Sequence, residues 1–148
     1  MNRVMMIGAV GSGKSSLIKA LAGEEQPAKK TQALEFKDWL IDTPGEYTEN
    51  PLYYRSLMVT AMQAKLLVLV QDATRKRNSF PPGFASGFPI GAIGVITKID
   101  HPDADPGLAQ KLLRQSLPQG EIHLTSAVTK EGIEPLKNLL LEILGLLK

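Results

Sequence analysis

The stretch from Gly8 to Ser15 constrains the fold of this chain more than any other part of its sequence. It reads G-A-V-G-S-G-K-S and fits the pattern G-x-x-x-x-G-K-[ST] in full. The apolar run from Val4 to Ile7 predicts a strand before it, and residues 14–22 have helical composition and stop at Gly23. Between a strand and a helix, this pattern is typical of a loop that binds phosphate groups.

The chemistry of this loop follows from its residue types. Glycines let the backbone wrap closely around phosphate oxygens, and the backbone N–H groups and the helix N-terminus face the anion. Lys14 can reach the β- and γ-phosphates of a nucleotide, and the Ser15 hydroxyl can ligate Mg²⁺. The predicted phosphate-binding residues are Gly8, Gly11, Ser12, Gly13, Lys14, Ser15 and Ser16.

A second phosphate-facing turn is predicted at Asp42-Thr43-Pro44-Gly45, directly after the apolar pair Leu40-Ile41. Asp42 would hold the Mg²⁺ shell through water, and the Gly45 N–H would contact the γ-phosphate. Thr31 lies between the two motifs and is the candidate for a threonine that closes over Mg²⁺ and the γ-phosphate. The predicted metal-binding residues are therefore Ser15, Thr31 and Asp42.

Two later motifs predict a site for the nucleotide base. Thr97-Lys98-Ile99-Asp100 follows an apolar strand and fits N-K-x-D with Thr in place of Asn, which alters one supporting contact. The Asp100 carboxylate can accept hydrogen bonds from N1–H and the exocyclic amine of guanine, whereas adenine would leave it unpaired. The predicted base-binding residues are Thr97, Lys98, Asp100, Ser126 and Ala127. The sequence thus favours GTP over ATP.

The remaining pattern predicts an α/β fold in one domain of residues 1–148, a length that suits a single core. Strands alternate with helices, which favours a mostly parallel six-stranded sheet with helices on both faces. We predict strands at 4–7, 65–71, 93–97 and 122–124, two short strands within 33–42, and helices at 14–22, 51–63, 105–117 and 131–147. The last helix should cover the sheet, with a partner- or membrane-binding helix as the alternative.

Composition excludes several kinds of protein. The chain has no cysteine, which rules out disulfides and thiolate metal sites. Its net charge of +2 is too small to indicate a nucleic-acid-binding surface. No apolar run approaches the length of a membrane span. We therefore expect a cytoplasmic protein that binds a nucleotide.

One stretch, from Arg75 to Gly91, does not fit the strand–helix alternation. It has three prolines and three glycines beyond Asn78, so it cannot hold a long regular helix, and we expect a surface lid or a partner surface. Its basic start, Arg75-Lys76-Arg77, is either a solvated face or, like Arg55, a source of positive charge beside the transferred phosphoryl group.

Together the four motifs resemble those of the Ras-like P-loop GTPase superfamily. The words "GAVGSGKSSL", "KTQALEF", "DTPGEY" and "TKID" narrow the resemblance to the EutP/PduV family of bacterial ethanolamine and propanediol utilisation. The resemblance implies a GTPase-like fold, a nucleoside triphosphate with Mg²⁺, and partners among the shell or enzyme proteins of a bacterial microcompartment. It also implies an acetate kinase role, using ATP and acetate, for the ethanolamine branch, which the stretches "GAVGSGKS" and "KTQALEF" favour.

Glu46 stands where the GTPases that this turn resembles commonly carry Gln. A Gln amide can donate to the γ-phosphate while accepting from water, but an ionised carboxylate can only accept and adds negative charge. We therefore predict slow hydrolysis, with a general base or an exposed loop residue as the other interpretations of Glu46. The predicted catalytic residues are Lys14, Thr31, Gly45 and Glu46. Three functions stay open: a slow GTPase, an acetate kinase, and a non-catalytic switch or scaffold.

Overall fold

The computed structural model describes residues 3–23, 35–37 and 39–146. The strands of the described part are β1 (Val4–Gly8), β2 (Glu35–Lys37), β3 (Leu40–Asp42), β4 (Leu66–Asp72), β5 (Gly91–Thr97) and β6 (Ile122–Leu124). The α-helices are α1 (Lys14–Ala22), α2 (Gly45–Glu49), α3 (Tyr54–Ala61), α4 (Pro106–Ser116) and α5 (Ile133–Ile143). Short 3₁₀ helices cover Pro51–Tyr53 and Phe84–Gly87.

The strands form one sheet in the order β2-β3-β1-β4-β5-β6. Five of them are parallel, and β2 pairs antiparallel with β3 at the edge. Val4 of β1 lies between Leu40 of β3 and Leu66 of β4, which sets the register at the centre of the sheet. The predicted mostly parallel sheet is confirmed, with five strands in its parallel part.

Both faces of the sheet are covered, because alternate residues of a strand point to opposite sides. Met5 and Ile7 of β1 pack in one apolar cluster with side chains of α3 and α4. Val4 and Met6 pack in a second cluster with side chains of α1 and α5. The prediction of helices on both faces is therefore confirmed, and α5 covers the sheet as expected. No described helix combines the length and apolar character that crossing a membrane requires.

Local signals in the sequence fix the starts of two helices. Asp105 accepts a hydrogen bond from the Leu108 N–H at 3.1 Å, and Pro106 takes the first helical position of α4. The predicted helix at 51–63 begins instead as the 3₁₀ turn Pro51–Tyr53, with the Asn50 side chain accepting from the Leu52 N–H at 3.0 Å.

The helix predicted for 131–147 is shorter in the structure. Lys130 has a φ of 70° and Gly132 a φ of 75°, conformations that a right-handed helix does not contain. A Cβ atom at Gly132 would lie 2.1 Å from the Leu124 carbonyl oxygen, so this turn requires glycine. The helix ends before Gly145, which has a φ of 74°, and Leu147 lies outside the described residues.

The proline- and glycine-rich stretch is part of the core. Phe80, Phe84 and Phe88 are 3%, 9% and 8% exposed and pack in the same cluster as α3 and α4. The ring centroids of Phe80 and Phe84 are 5.4 Å apart, and those of Phe84 and Phe88 are 5.2 Å apart. The expectation of a lid or partner surface is therefore wrong for the side of the segment that carries these rings. Aromatic side chains spaced four residues apart bury large apolar area without a long helix.

Candidate nucleotide-binding site

All four predicted motifs, and one further loop, lie at the same edge of the sheet. The loop after β1 holds Gly11 to Gly13, and the Asp42–Gly45 turn follows β3. Thr97–Asp100 begins at the last residue of β5, and Thr125–Ala127 follows β6. Because these strands are parallel, their carboxyl ends meet at one edge, which is where ligands bind in open α/β sheets. The fifth loop follows β4 and begins at Asp72.

The phosphate-loop residues occupy the strand–turn–helix context that was predicted. Gly8 ends β1, and Lys14, Ser15 and Ser16 form the first turn of α1. Gly13 has a φ of 85°, and a Cβ atom there would lie 3.1 Å from the Thr97 hydroxyl oxygen.

The Ser12 hydroxyl in this loop is buried and has no hydrogen-bond partner among the described residues. A buried polar group normally has a partner, so a ligand oxygen beside the loop would complete its hydrogen bonding.

Lys14 joins the phosphate loop to the turn after β3. Its Nζ donates to the Asp42 carboxylate and to the Thr43 carbonyl oxygen, and the side chain is only 5% exposed. The Thr43 hydroxyl in turn donates to the Met6 carbonyl oxygen at 2.8 Å, which holds the turn against β1. A buried ammonium group is thereby kept beside the loop whose backbone amides suit phosphate.

Gly45 brings α2 into contact with the phosphate loop. A Cβ atom at Gly45 would lie 2.6 Å from the Val10 backbone nitrogen and 2.8 Å from its Cα, so only glycine fits here without displacing backbone. Glu46 follows in the first turn of α2 and is half-buried, and its carbonyl oxygen accepts from the Asn50 N–H at 3.1 Å. A change at Gly45 or Glu46 therefore acts directly beside the loop.

Lys98 connects three loops of the site. It has a φ of 61°, and its Nζ donates to the Gly11 carbonyl oxygen at 2.7 Å and to the Asp72 carboxylate at 2.8 Å. Asp72 also accepts from the backbone and hydroxyl of Thr74 at 2.8 Å and 2.7 Å. Burial alone would raise the pKa of Asp72, but these hydrogen bonds and the Lys98 charge hold it below its ordinary range.

Asp72 is a site residue that the sequence reasoning missed. It ends β4, directly after the buried residue Gln71 and one residue beyond the strand predicted at 65–71. The available signal was its position: an acidic residue at the carboxyl end of a buried parallel strand faces the ligand edge of the sheet.

Thr97 takes the position where the base-reading motif usually has Asn. Its hydroxyl donates to the Ser12 carbonyl oxygen, and the residue is 4% exposed. The replacement therefore retains a link between the base-binding loop and the phosphate loop.

Asp100 and Ser126, two of the predicted base-binding residues, are in contact. The Ser126 hydroxyl donates to the Asp100 carboxylate at 2.7 Å and accepts from the Thr129 N–H at 3.0 Å. Ser126 is fully buried and orients the carboxylate, whereas Asp100 is exposed. Ala127, next to this pair, is half-buried. A fixed carboxylate with a free oxygen can accept hydrogen bonds from a planar ligand.

The oxygen donors of the site fit a magnesium ion that is shared with a nucleotide. The described residues contain no group of three or more His, Cys, Asp or Glu side chains that could hold a metal by themselves. Ser15 and Asp42 offer a hydroxyl and a carboxylate, the hard ligands that Mg²⁺ takes together with substrate phosphates and water. Thr31, the third predicted ligand, lies outside the described residues.

The basic residues considered for phosphoryl transfer lie at different places. Arg55 is exposed on α3. Arg75 follows β4, and its Nη1 lies 3.8 Å from the Glu49 carboxylate at the end of α2. Arg77 lies further along the same loop and lines the same cavity as Arg75, and none of the predicted phosphate-binding or base-binding residues lines that cavity.

Comparison with known proteins identifies the family of this chain. The family model PduV-EutP, described as "Ethanolamine utilisation - propanediol utilisation", matches residues 1–142. The chain belongs to the PduV-EutP family. The "Probable acetate kinase EutP" of Escherichia coli is 41% identical over 118 residues, which are 78% of this chain and 74% of that protein. The "Propanediol utilization protein PduV" of Citrobacter freundii is 36% identical over 137 residues, 90% and 89% of the two chains.

Solved structures share the fold. A bacterial selenocysteine-specific elongation factor, EF-Sec, matches with a TM-score of 0.68 and 25% identity over 98% of this chain and 29% of its own. The Roco2 RocCORdC structure of Methanosarcina barkeri, bound to GDP, matches with a TM-score of 0.59 and 23% identity over 96% and 48%. The chain spans less than half the length of either structure. The predicted P-loop GTPase-like fold is confirmed.

Proposed function

We propose that this protein binds guanine nucleotide with Mg²⁺ and slowly transfers the γ-phosphoryl group of GTP to water. The observation that carries this proposal is the Asp100 carboxylate, oriented by the Ser126 hydroxyl at 2.7 Å and tied through Thr97 to the phosphate loop. One oxygen of Asp100 is engaged by Ser126, and hydrogen bonds from guanine would complete the acceptor capacity of the carboxylate. Adenine offers no such donors there, so ATP would leave the carboxylate unpaired.

The phosphate end of the proposed site acts by positioning and charge. Lys14 would turn from Asp42 toward the β- and γ-phosphates, and the Gly45 N–H would meet the γ-phosphate. Ser15 and Asp42, with Thr31, would hold Mg²⁺, which neutralises charge on the phosphate oxygens when it is bound. The Ser12 hydroxyl supports this arrangement, since it is buried without a partner among the described residues.

Slow turnover follows from Glu46. The carboxylate sits in the first turn of α2, next to the glycine that contacts the phosphate loop. It can accept a proton or hydrogen bond from water, but it cannot donate to the γ-phosphate, and its charge repels that group.

A second candidate function is acetate kinase, because the relatives from Escherichia coli and Salmonella typhimurium, 41% and 43% identical, are both named "Probable acetate kinase EutP". In that reaction an acetate oxygen forms a bond to the γ-phosphorus of ATP as the bond to the ADP oxygen breaks. Acetate would need a cation near Glu46 to offset repulsion between the two carboxylates. Asp100 argues against ATP as the donor.

We place the protein in ethanolamine or propanediol utilisation, in the cytoplasm and in association with the shell or enzyme proteins of a bacterial microcompartment. Family membership supports the pathway link. The location and the partners are part of the proposal.

The test is product analysis with γ-labelled GTP and ATP in Mg²⁺, with and without acetate. We expect label to leave GTP as free phosphate at a rate that acetate does not change, and ATP to react more slowly. Lys14→Ala, purified in the same way, is the control for contaminating phosphatases, since it lacks the buried ammonium group beside the phosphate loop.

Three outcomes would overturn the proposal of a GTP-selective hydrolase. Transfer of label from ATP to acetyl phosphate would establish the kinase. Tight GTP binding without release of label would leave a non-catalytic switch or scaffold. Equal use of ATP and GTP would show that Asp100 does not select the base.

A further inference from the structure

A cavity of about 510 Å³ lies between the end of α2 and the loop after β4. Thr48 and Glu49 line it from α2, and Arg75, Arg77 and Ser79 line it from the loop. None of the residues lining this cavity belongs to the phosphate-binding or base-binding loops. The cavity is therefore separate from the proposed nucleotide site.

The charge of the cavity suits an anion with a single negative charge. Arg75 and Arg77 bring two positive charges, and Glu49 brings one negative charge. Arg75 is 3.8 Å from the Glu49 carboxylate, whereas Arg77 has no carboxylate within 4 Å in the described part of the chain. Arg77 is thus the cation available to a ligand, and a guanidinium group binds carboxylates in a two-pronged geometry.

Two buried hydroxyls in the lining lack partners. Thr48 is 1% exposed, and its hydroxyl makes no hydrogen bond with any described residue. The Ser79 hydroxyl oxygen is also buried and also lacks a hydrogen-bond partner among the described residues. The Thr48 carbonyl oxygen is already used, since it accepts from the Tyr54 hydroxyl at 3.3 Å. Buried hydroxyls without partners are uncommon, and an oxyanion beside them would accept a hydrogen bond from each.

The charge of the cavity favours a carboxylate over a phosphate. Polar atoms make up most of its lining, and Tyr54, Phe80 and Pro81 add a small apolar surface that suits only a short alkyl part. A phosphate dianion would exceed the net charge of +1 that the three ionised side chains supply.

We propose that this cavity is a binding site for a small monocarboxylate, held by the Arg77 guanidinium and by the Thr48 and Ser79 hydroxyls. The inference does not rest on the proposed function, because none of its residues is among those proposed to bind the phosphates, Mg²⁺ or the base. The site adjoins α2, whose first residue, Gly45, contacts the phosphate loop. A bound carboxylate therefore lies within one short helix of the nucleotide site.

The first test is a titration of the ¹⁵N-labelled protein with sodium acetate, with chloride replaced so that ionic strength stays constant. We expect saturable amide shifts centred on Thr48 and Ser79. Shifts that rise linearly with concentration, or saturable shifts centred on Gly11 and Gly13 instead, would overturn the proposal. The second result would mean that acetate sits in the phosphate loop.

Two variants identify the binding groups. Thr48→Val removes a hydroxyl that has no partner in the described structure, so it should not lower the melting temperature, yet it should weaken acetate binding about fivefold. Arg77→Ala should weaken binding by about tenfold or more, because it removes a charged donor.

Each variant has a matched control. Thr60→Val removes a hydroxyl that donates to the Ser56 carbonyl oxygen at 2.8 Å, and Lys76→Ala removes a neighbouring exposed charge that does not line the cavity. Both should bind acetate as the wild type does. Wild-type affinity in both Thr48→Val and Arg77→Ala would refute the site, whatever the protein does with GTP.

Discussion

At the scale of single residues, the proposed selection of guanine depends on Asp100. Asp100→Ala should weaken GTP binding about 100-fold, since two hydrogen bonds to a charged acceptor are lost, and should leave ATP binding nearly unchanged. Isothermal titration with non-hydrolysable analogues of both nucleotides measures this. Asp103→Ala, which removes an exposed carboxylate three residues further along, is the control. Equal losses for both nucleotides in Asp100→Ala would contradict base reading.

Glu46 sets the expected rate of hydrolysis. Glu46→Gln replaces an acceptor that repels the γ-phosphate with a group that donates to it, so single-turnover GTP hydrolysis should rise about tenfold. Glu134→Gln makes the same exchange in the first turn of α5, far along the chain, and should not change the rate. A Glu46→Gln rate at or below that of the wild type would instead support Glu46 as a general base.

Two residues show the limits of motif reading. Thr97 replaces the usual Asn of the motif, yet the Thr97 hydroxyl donates to the Ser12 carbonyl oxygen in the phosphate loop. Asp72 belongs to no motif, yet it holds Lys98 at 2.8 Å. Contacts between residues distant in sequence decide both roles, and a linear pattern does not encode them.

At the scale of elements, the contact between α2 and the phosphate loop depends on the absence of a side chain at Gly45. Gly45→Ala would place a Cβ atom 2.6 Å from the Val10 nitrogen, so α2 must move. Hydrolysis should fall about 100-fold, the scale that a misplacement of about 1 Å causes. The measurement is single-turnover hydrolysis with GTP-binding affinity determined in parallel.

Gly107→Ala is the control for this change. A Cβ atom at Gly107, in α4, would meet only the Asp105 carboxylate, at 3.7 Å. The substitution should raise stability by up to about 1 kcal/mol and leave hydrolysis intact. If Gly45→Ala hydrolyses GTP as fast as Gly107→Ala, close packing at Gly45 is unimportant.

The segment after β4 shows why element prediction failed in one place. Its prolines and glycines correctly excluded a long helix, and the 3₁₀ turn Phe84–Gly87 is all the helix it has. Phe80, Phe84 and Phe88 recur every four residues, but the prolines and glycines among them exclude the regular helix for which that spacing would indicate a buried face. Which side of the segment faces inward depends on how its rings pack against α3, α4 and the sheet.

At the scale of the whole molecule, stability should depend on pH through Asp72. The pKa of Asp72 is lowered in the folded protein, and the unfolded value is about 3.9. Its contribution is therefore fully present above that value and is lost as the pH falls through the folded pKa. Asp72→Asn should cost about 1–2 kcal/mol at pH 7, and the difference from wild type should shrink toward pH 3.

Urea unfolding of both proteins between pH 3 and pH 7 checks this prediction. The other carboxylates titrate in both chains, so their effects cancel in the difference. A difference in unfolding free energy that stays constant across this range would show that the carboxylate charge is not what stabilises this edge of the sheet.

The sequence by itself determined the alternation of strands and helices and the loop between β1 and α1, and it named Asp100 and Ser126 as candidate base-binding residues. Each of these depends on local chemistry: glycines where backbone must approach closely, a proline and a cap at the start of α4, and apolar runs for buried strands. The last helix starts later than predicted because the turn before it needs positive φ angles at Lys130 and Gly132.

The tertiary structure alone decided which loops meet and which charges pair. It joined Lys14 to Asp42, brought Asp72 to Lys98, and placed Arg75 and Arg77 in a cavity rather than beside the phosphate loop. These contacts span 26 or more residues in the first two cases. They exist because parallel strands bring their carboxyl ends to one edge, and the strand order that does so is set by packing of the whole core.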